Sequence, residues 1–198
     1  MSKVVALKDF ELQKVKFNAK GGLDIQFWDL SSRNELWSVQ SDSLPSEDYL
    51  KALNSLKEVF AYSLGLNNGW EFSREHNRKN DELLQKSISY WLDEVERCIV
   101  SGLTVVSAGD SKGIKISGSL KNDLGAVGLA SPVIRFDADV VNSIDENIMI
   151  GDLAETAFKK VQEEIWLFIF KGKRAVGLFP AEEIESGLNG VVKMSKVG

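Results

Sequence analysis

Phe10-Glu-Leu-Gln-Lys-Val-Lys-Phe17, Lys20-Gly-Gly22 and Leu23-Asp-Ile-Gln-Phe-Trp28 form the stretch from which the fold is read. Leu23, Ile25 and Phe27 alternate with Asp24, Gln26 and Trp28, the period of a strand with one buried face. Lys20-Gly-Gly22 supplies turn chemistry just before it, so the preceding segment should be its hairpin partner. In that segment Phe10 and Leu12 share one parity and Val15 and Phe17 the other. The pattern slips by one residue near Gln13-Lys14, as a β-bulge requires. A third strand, Glu35 to Gln40, carries Leu36, Trp37 and Val39, making residues 10–40 a β-meander.

Moving outward, Pro45-Ser-Glu-Asp48 opens a helix: Ser46 can cap orphan N–H groups, and two carboxylates sit where the helix dipole favours them. Leu50, Leu53, Val59, Phe60 and Leu64 continue the apolar stripe, with an end expected at Gly65 or among Asn67-Asn-Gly69. Residues 70–80 read as a polar connection containing Trp70, Phe72 and His76. A second helix is expected from Asp81, its cap, to Arg97, with Leu84, Ile88, Trp91, Leu92 and Val95 on one face.

From Cys98 the pattern turns to β. Ile99 to Val106, the turn Ala108-Gly-Asp-Ser111 and the alternating Ile114, Ile116 and Leu120 predict a hairpin, with Lys115, Ser117, Ser119 and Lys121 on the other side of its second strand. Residues 122–131 read as a glycine-containing loop, and Ile134, Phe136, Ala138 and Val140 as a further strand. A last helix is expected over Asp152–Phe170, with Ala154, Ala157, Phe158, Val161 and Ile165 buried. Its closing run, Ile165-Trp-Leu-Phe-Ile-Phe170, is apolar all round, so it is either sunk among other elements or exposed as an oligomer contact. The order β-β-β-α-α-β-β-β-α lacks βαβ units. It implies an α+β protein with an antiparallel or mixed sheet of about five to seven strands and three helices mainly on one face. We expect one domain over 1–175, with 66–97 as an insertion, and a tail of short strands over 176–198.

The chain of 198 residues is 43% hydrophobic and 27% charged, enough for a sizeable core. Its 24 basic and 29 acidic groups give a net charge of −5, which supplies no global attraction for duplex DNA. The single cysteine, Cys98, excludes an intramolecular disulfide. The six-residue apolar run falls far short of the ~20 residues that span a bilayer. With no apolar signal-peptide stretch in MSKVVALKDF, the cytoplasm is the expected location.

Three blocks carry a resemblance. They are Leu44-Pro-Ser-Glu-Asp-Tyr-Leu-Lys-Ala-Leu53, the hairpin around 99–121, and the helix end Lys171-Gly-Lys-Arg-Ala175. Together they resemble a group of uncharacterised phage- and prophage-encoded proteins in which a P-x-x-x-x-L-x-A-L helix precedes a two-stranded segment and a final helix ends in x-G-x-R-A. Pro45, Leu50, Ala52 and Leu53 match the first pattern, and Gly172, Arg174 and Ala175 the last. The resemblance covers about half the chain and rests largely on helix patterning. The 66–97 insertion and the tail after Ala175 depart from it. It implies a phage origin, a bacterial host cytoplasm and no catalytic residue to carry over.

Candidate chemistry is sparse. His76, the only histidine, reads as a solvated loop residue, and Cys98 as a buried, inert thiol. Asp137 and Asp139, at alternate positions of an expected strand, could hold a divalent cation, or form a surface ladder with Arg135; the ladder is favoured. Gly109-Asp-Ser-Lys-Gly113 lacks phosphate-loop spacing and reads as a hairpin turn, and Gly125-Ala-Val-Gly128 lacks the helical context of a KH domain.

Residues 111–122 hold three lysines and no acid. Lys112, Lys115, Ser117, Ser119 and Lys121, with Arg135 and a stacking Trp70 or Trp37, are the candidate ligand-binding set, suited to phosphates and a base. A solvated outer sheet face is the bland alternative. The leading expectation is a homo-oligomeric, non-enzymatic counter-defence protein that sequesters a nucleotide-type immune signal and needs no metal or cofactor. The competing readings are a single-stranded DNA binder, disfavoured by the pI near 5.1, and a protein-only inhibitor of a host enzyme.

Overall fold

The computed structural model describes residues 5–32, 34–67, 80–109, 111–140, 149–175 and 193–197. Trp70 and His76 lie outside them. The protein is α+β, with an eight-stranded antiparallel sheet. The strands are β1 (Phe10–Phe17), β2 (Leu23–Asp29), β3 (Glu35–Ser41), β4 (Cys98–Ala108), β5 (Ser111–Asn122), β6 (Gly125–Ala130), β7 (Ile134–Arg135) and β8 (Lys193–Lys196). Their order is β6-β5-β4-β1-β2-β3-β8, with β7 paired to β5 off this path. The helices are α1 (Glu47–Asn54), α2 (Lys57–Ser63), α3 (Asp81–Arg97) and α4 (Ile150–Phe170). The chain divides into two compact units: 1–52 with 102–105 and 159–198, and 53–101 with 106–158.

In the first unit the parity slip is a register shift between Leu12 and Lys14 against β2. It turns Phe10, Leu12 and Val15 all to the buried side, opposite Leu23, Ile25 and Phe27 of β2. Phe27 stacks at 4.7 Å from Phe10 and meets Phe170 at 5.9 Å. Trp166 donates its indole N–H to the Val5 carbonyl at 2.8 Å. None of the residues 165–170 is exposed, so the apolar end of α4 is sunk into this unit rather than left as a contact surface. Lys14, Val15 and Lys16 pair with Thr104, Leu103 and Gly102 of β4. Gly102 is dictated by that approach: a Cβ there would fall 2.4 Å from the Val15 carbonyl oxygen.

The start of α1 and the chain after α4 are tied together. Ser46 Oγ accepts from Tyr49 N–H at 3.2 Å, the cap read from the sequence. Lys173 reaches Asp48 and Glu164, each at 2.9 Å, and Pro45 bridges to Arg174. The Lys173 ammonium holds the Asp48 carboxyl below its usual range.

The helix expected over residues 46–64 is interrupted at Ser55-Leu56, within the second unit. Leu56, wholly buried, bonds back only three residues to Leu53 before Phe60 restarts the ladder from Leu56. The second half ends on Gly65 at φ 73°, with Gly65 N–H on Tyr62 and Leu66 N–H on Ala61, a Schellman closure. Helix α3 has the expected bounds but is capped by Asn80, not Asp81: the Asn80 side chain accepts from Leu83 N–H. Its buried line runs through Ser87, Trp91 and Glu94, which leaves Leu92 half-exposed on an adjoining face instead of in the core.

Two further expectations fail in this unit. Residues 122–131 are not a loop: Gly125–Ala130 is a strand, paired with Ser117–Asn122 across a tight Asp123-Leu124 turn in which Asn122 Oδ1 accepts from Leu124 N–H. The strand past Ile134 is only two residues long. Phe136-Asp137 turns, with Ala138 N–H reaching back to Arg135, so Asp137 and Asp139 do not share a pleated face.

Candidate functional site

Strand β5 is built to present one row of side chains. Ile114 and Ile116 are wholly buried, so the opposite parity must face outward. Lys115, Ser117 and Lys121 are exposed on that parity, with Ser119 half-covered. Pairing of β5 with β6 puts Ala130 beside Ser117, Gly128 beside Ser119 and Ala126 beside Lys121. On its β6 flank the row therefore meets only side chains too small to screen it. Lys115 and Lys121 make no ion pair with any described residue. The backbone beneath is braced, Arg97 donating to the Lys121 carbonyl at 2.9 Å and Ser101 to that of Ser117 at 3.2 Å.

The other expected members are distributed differently. Lys112 has the parity of Ile114 and does not join the row. Arg135, opposite Gly113, lies on the outer parity, but its guanidinium grips Asp137 at 2.7 and 2.9 Å. Ser111 adds a third donor to Asp137, and this company draws its carboxyl down to about 2, the Arg135 hydrogen bond being the main cause. Asp137 is thus paired with Arg135 within a turn, and the expected ladder of both acids along one strand does not form. Trp37 lies on β3 in the first unit, not in the second unit that carries the row, and its indole nitrogen is buried without a described partner. Trp70 lies outside the described residues.

Sequence reasoning missed the contribution of β6, because glycine and alanine gave no strand signal, and that of Arg97, whose role depends on a long-range contact. Among the described residues no cluster of three or more His, Cys, Asp or Glu side chains could hold a metal ion, and no helix is long and apolar enough to cross a membrane.

Cys98 is wholly buried, and burial, reinforced by the nearby Glu94, pushes its thiol up from 9.0 to about 11. Burial also raises the Tyr49 hydroxyl above its ordinary 10.0. Both groups hold their protons more tightly folded than unfolded, so their contribution is complete below pH 9 and is lost as pH rises toward the folded values. Urea unfolding should show a plateau to about pH 9 and then a fall on the order of 2 kcal/mol by pH 11 from the thiol alone. Cys98→Ala should flatten that fall. At pH 8 the native thiol should resist iodoacetamide, which should label it only on unfolding.

Comparison of the chain with protein-family models, with curated proteins and with solved structures finds no match.

Proposed function

We propose that this is a non-enzymatic binding protein that holds a phosphate-bearing, nucleotide-type ligand on the outward row of β5. The observation that carries the reading is the row itself: Lys115, Ser117, Ser119 and Lys121 on one parity of a strand whose other parity buries Ile114 and Ile116. Ammonium and hydroxyl donors are the groups that recognise phosphate oxygens, and charge-assisted bonds to them are the strong ones. Among the described residues, two groups that reactivity would call on are otherwise engaged. Cys98 is a buried, protonated thiol and Asp137 is bound to Arg135. Taken with the phage-like blocks at 44–53 and 171–175, the role we assign is counter-defence by sequestration of a nucleotide immune signal.

The test is retention of a traced cyclic dinucleotide by purified protein through a desalting column, followed by heating. Stoichiometric retention with the nucleotide recovered intact supports sequestration. Recovery of a cleaved product contradicts the non-enzymatic part.

A second reading, single-stranded DNA, is favoured by one feature. Donors at every second residue stand about 6.6 Å apart in a line of about 20 Å, a repeat suited to an extended polyanion. Binding to a fluorescent oligonucleotide would then show a negative slope of log affinity against log salt that steepens with oligonucleotide length.

A further inference from the structure

Strand β6 ends the sheet order, and its sequence Gly125-Ala-Val-Gly-Leu-Ala130 contains no charge and no proline in a chain that is 27% charged. The strand at the other end, β8, carries Lys193 and Lys196, the lysines by which edges are guarded against further pairing. The free side of β6 is chemically defined. Ser131 N–H bonds to the Ile116 carbonyl, and the alternation of an antiparallel ladder then directs Leu129, Val127 and Gly125 toward β5. The N–H and C=O groups of Ala126, Gly128 and Ala130 point outward, and no described strand receives them.

We infer that this edge pairs with β6 of a second copy of the chain, antiparallel and centred on Gly128, and that the second copy completes the ligand site. A two-fold axis normal to the sheet matches Ala126 with Ala130 of the other copy and Gly128 with its counterpart. All three are outward-pointing positions, giving about six backbone hydrogen bonds. The register is self-complementary in its side chains as well. On the face away from the lysines, Val127, 51% exposed, meets Leu129 of the second copy. Leu124 at the turn, 99% exposed, comes beside Pro132 and Val133 of the second copy, where Val133 is itself 46% exposed. A partner of different sequence would have no reason to match exposed apolar groups at both ends of the strand.

The same axis keeps the outward rows of both copies on one side. Two β6 strands, floored by Ala126, Gly128 and Ala130, then lie between two antiparallel Lys/Ser rows about 14 Å apart, three strand spacings. The result is a shallow trough with a two-fold axis, flat at its base and cationic along both walls. It fits a planar, two-fold-symmetric ligand carrying phosphates at opposite edges, which narrows the ligand class to a cyclic dinucleotide. This last step rests on the phosphate-binding reading of β5; the pairing of the edges does not.

The experiment is sedimentation equilibrium of the full chain without ligand, at micromolar concentrations, for the natural protein, Val127→Lys and Gly128→Pro. The first variant sets a charge against Leu129 of the other copy, and the second removes an outward N–H that bonds nothing in its own sheet. The natural protein should sediment at twice 22.0 kDa, and each variant should raise the dimer Kd at least about a hundredfold, with far-UV circular dichroism unchanged. A monomeric natural protein, or a dimer that persists in both variants, overturns the inference. Cyclic dinucleotide retention is then measured on the same samples. Loss of retention in the monomeric variants supports the shared trough, whereas retention by a monomer refutes it. A dimer that disperses in the variants but never retains the nucleotide leaves the edge pairing standing and removes the phosphate-binding reading instead.

Discussion

Reversing both lysines of the row, Lys115→Glu with Lys121→Glu, should abolish the cyclic dinucleotide retention proposed above while leaving the melting temperature within a degree or two of the natural protein's. A hydrogen bond to a charged group contributes about 1.5–3 kcal/mol, so loss of two such bonds weakens binding by at least about a hundredfold before any repulsion from the new carboxylates is counted. Folding should be indifferent, because neither lysine is buried or ion-paired among the described residues, and surface changes of this kind stay within about 0.5 kcal/mol. Ser117→Ala with Ser119→Ala removes neutral donors only and should cost less, about tenfold. Equilibrium dialysis of the variants measures both effects. Full retention by the double glutamate variant would mean that the ligand sits elsewhere.

Phe27→Ala carries the largest expected effect on stability, about 3–5 kcal/mol. Phe27 is wholly buried on β2, a strand paired on both sides, and its ring touches Phe10 and Phe170, which arrive from β1 and the end of α4. Truncation empties a space that ladder-bonded strands on either side cannot close. Trp28→Ala, one residue on and only half-buried, should cost clearly less. Urea denaturation of the two variants gives the comparison. Equal losses would contradict the face assignment on which the register of the first unit depends.

The parts of the fold visible in the sequence are those where side-chain period alone decides. The one-residue slip between Leu12 and Val15 announced the bulge, because only an extra residue turns both parities to one core. The alternation over Ile114–Lys121 placed the lysine–serine row on a single face for the same reason. What escaped depends on contacts distant in sequence or on residues without a period. Gly125–Ala130 is a strand by virtue of its pairing with β5 and the Asn122 turn, not by its own propensity. The expected strand past Ile134 alternates well on paper, yet the chain turns at Phe136-Asp137, where Arg135 and Ser111 hold the Asp137 carboxylate. The break at Ser55-Leu56 lies inside a continuous apolar stripe, where burial of Leu56 outweighs an unbroken helical ladder. Lys112 was grouped with the row by proximity in sequence, and parity removes it.

Native mass spectrometry of the protein isolated from cells that contain nucleotide immune signals tests the shared, two-fold ligand trough most directly. A dimer with one ligand-sized mass increment per pair is expected, the increment released intact by collisional heating and missing when Lys115 and Lys121 are both replaced by Glu. A bare monomer of 22.0 kDa from the same cells would contradict it.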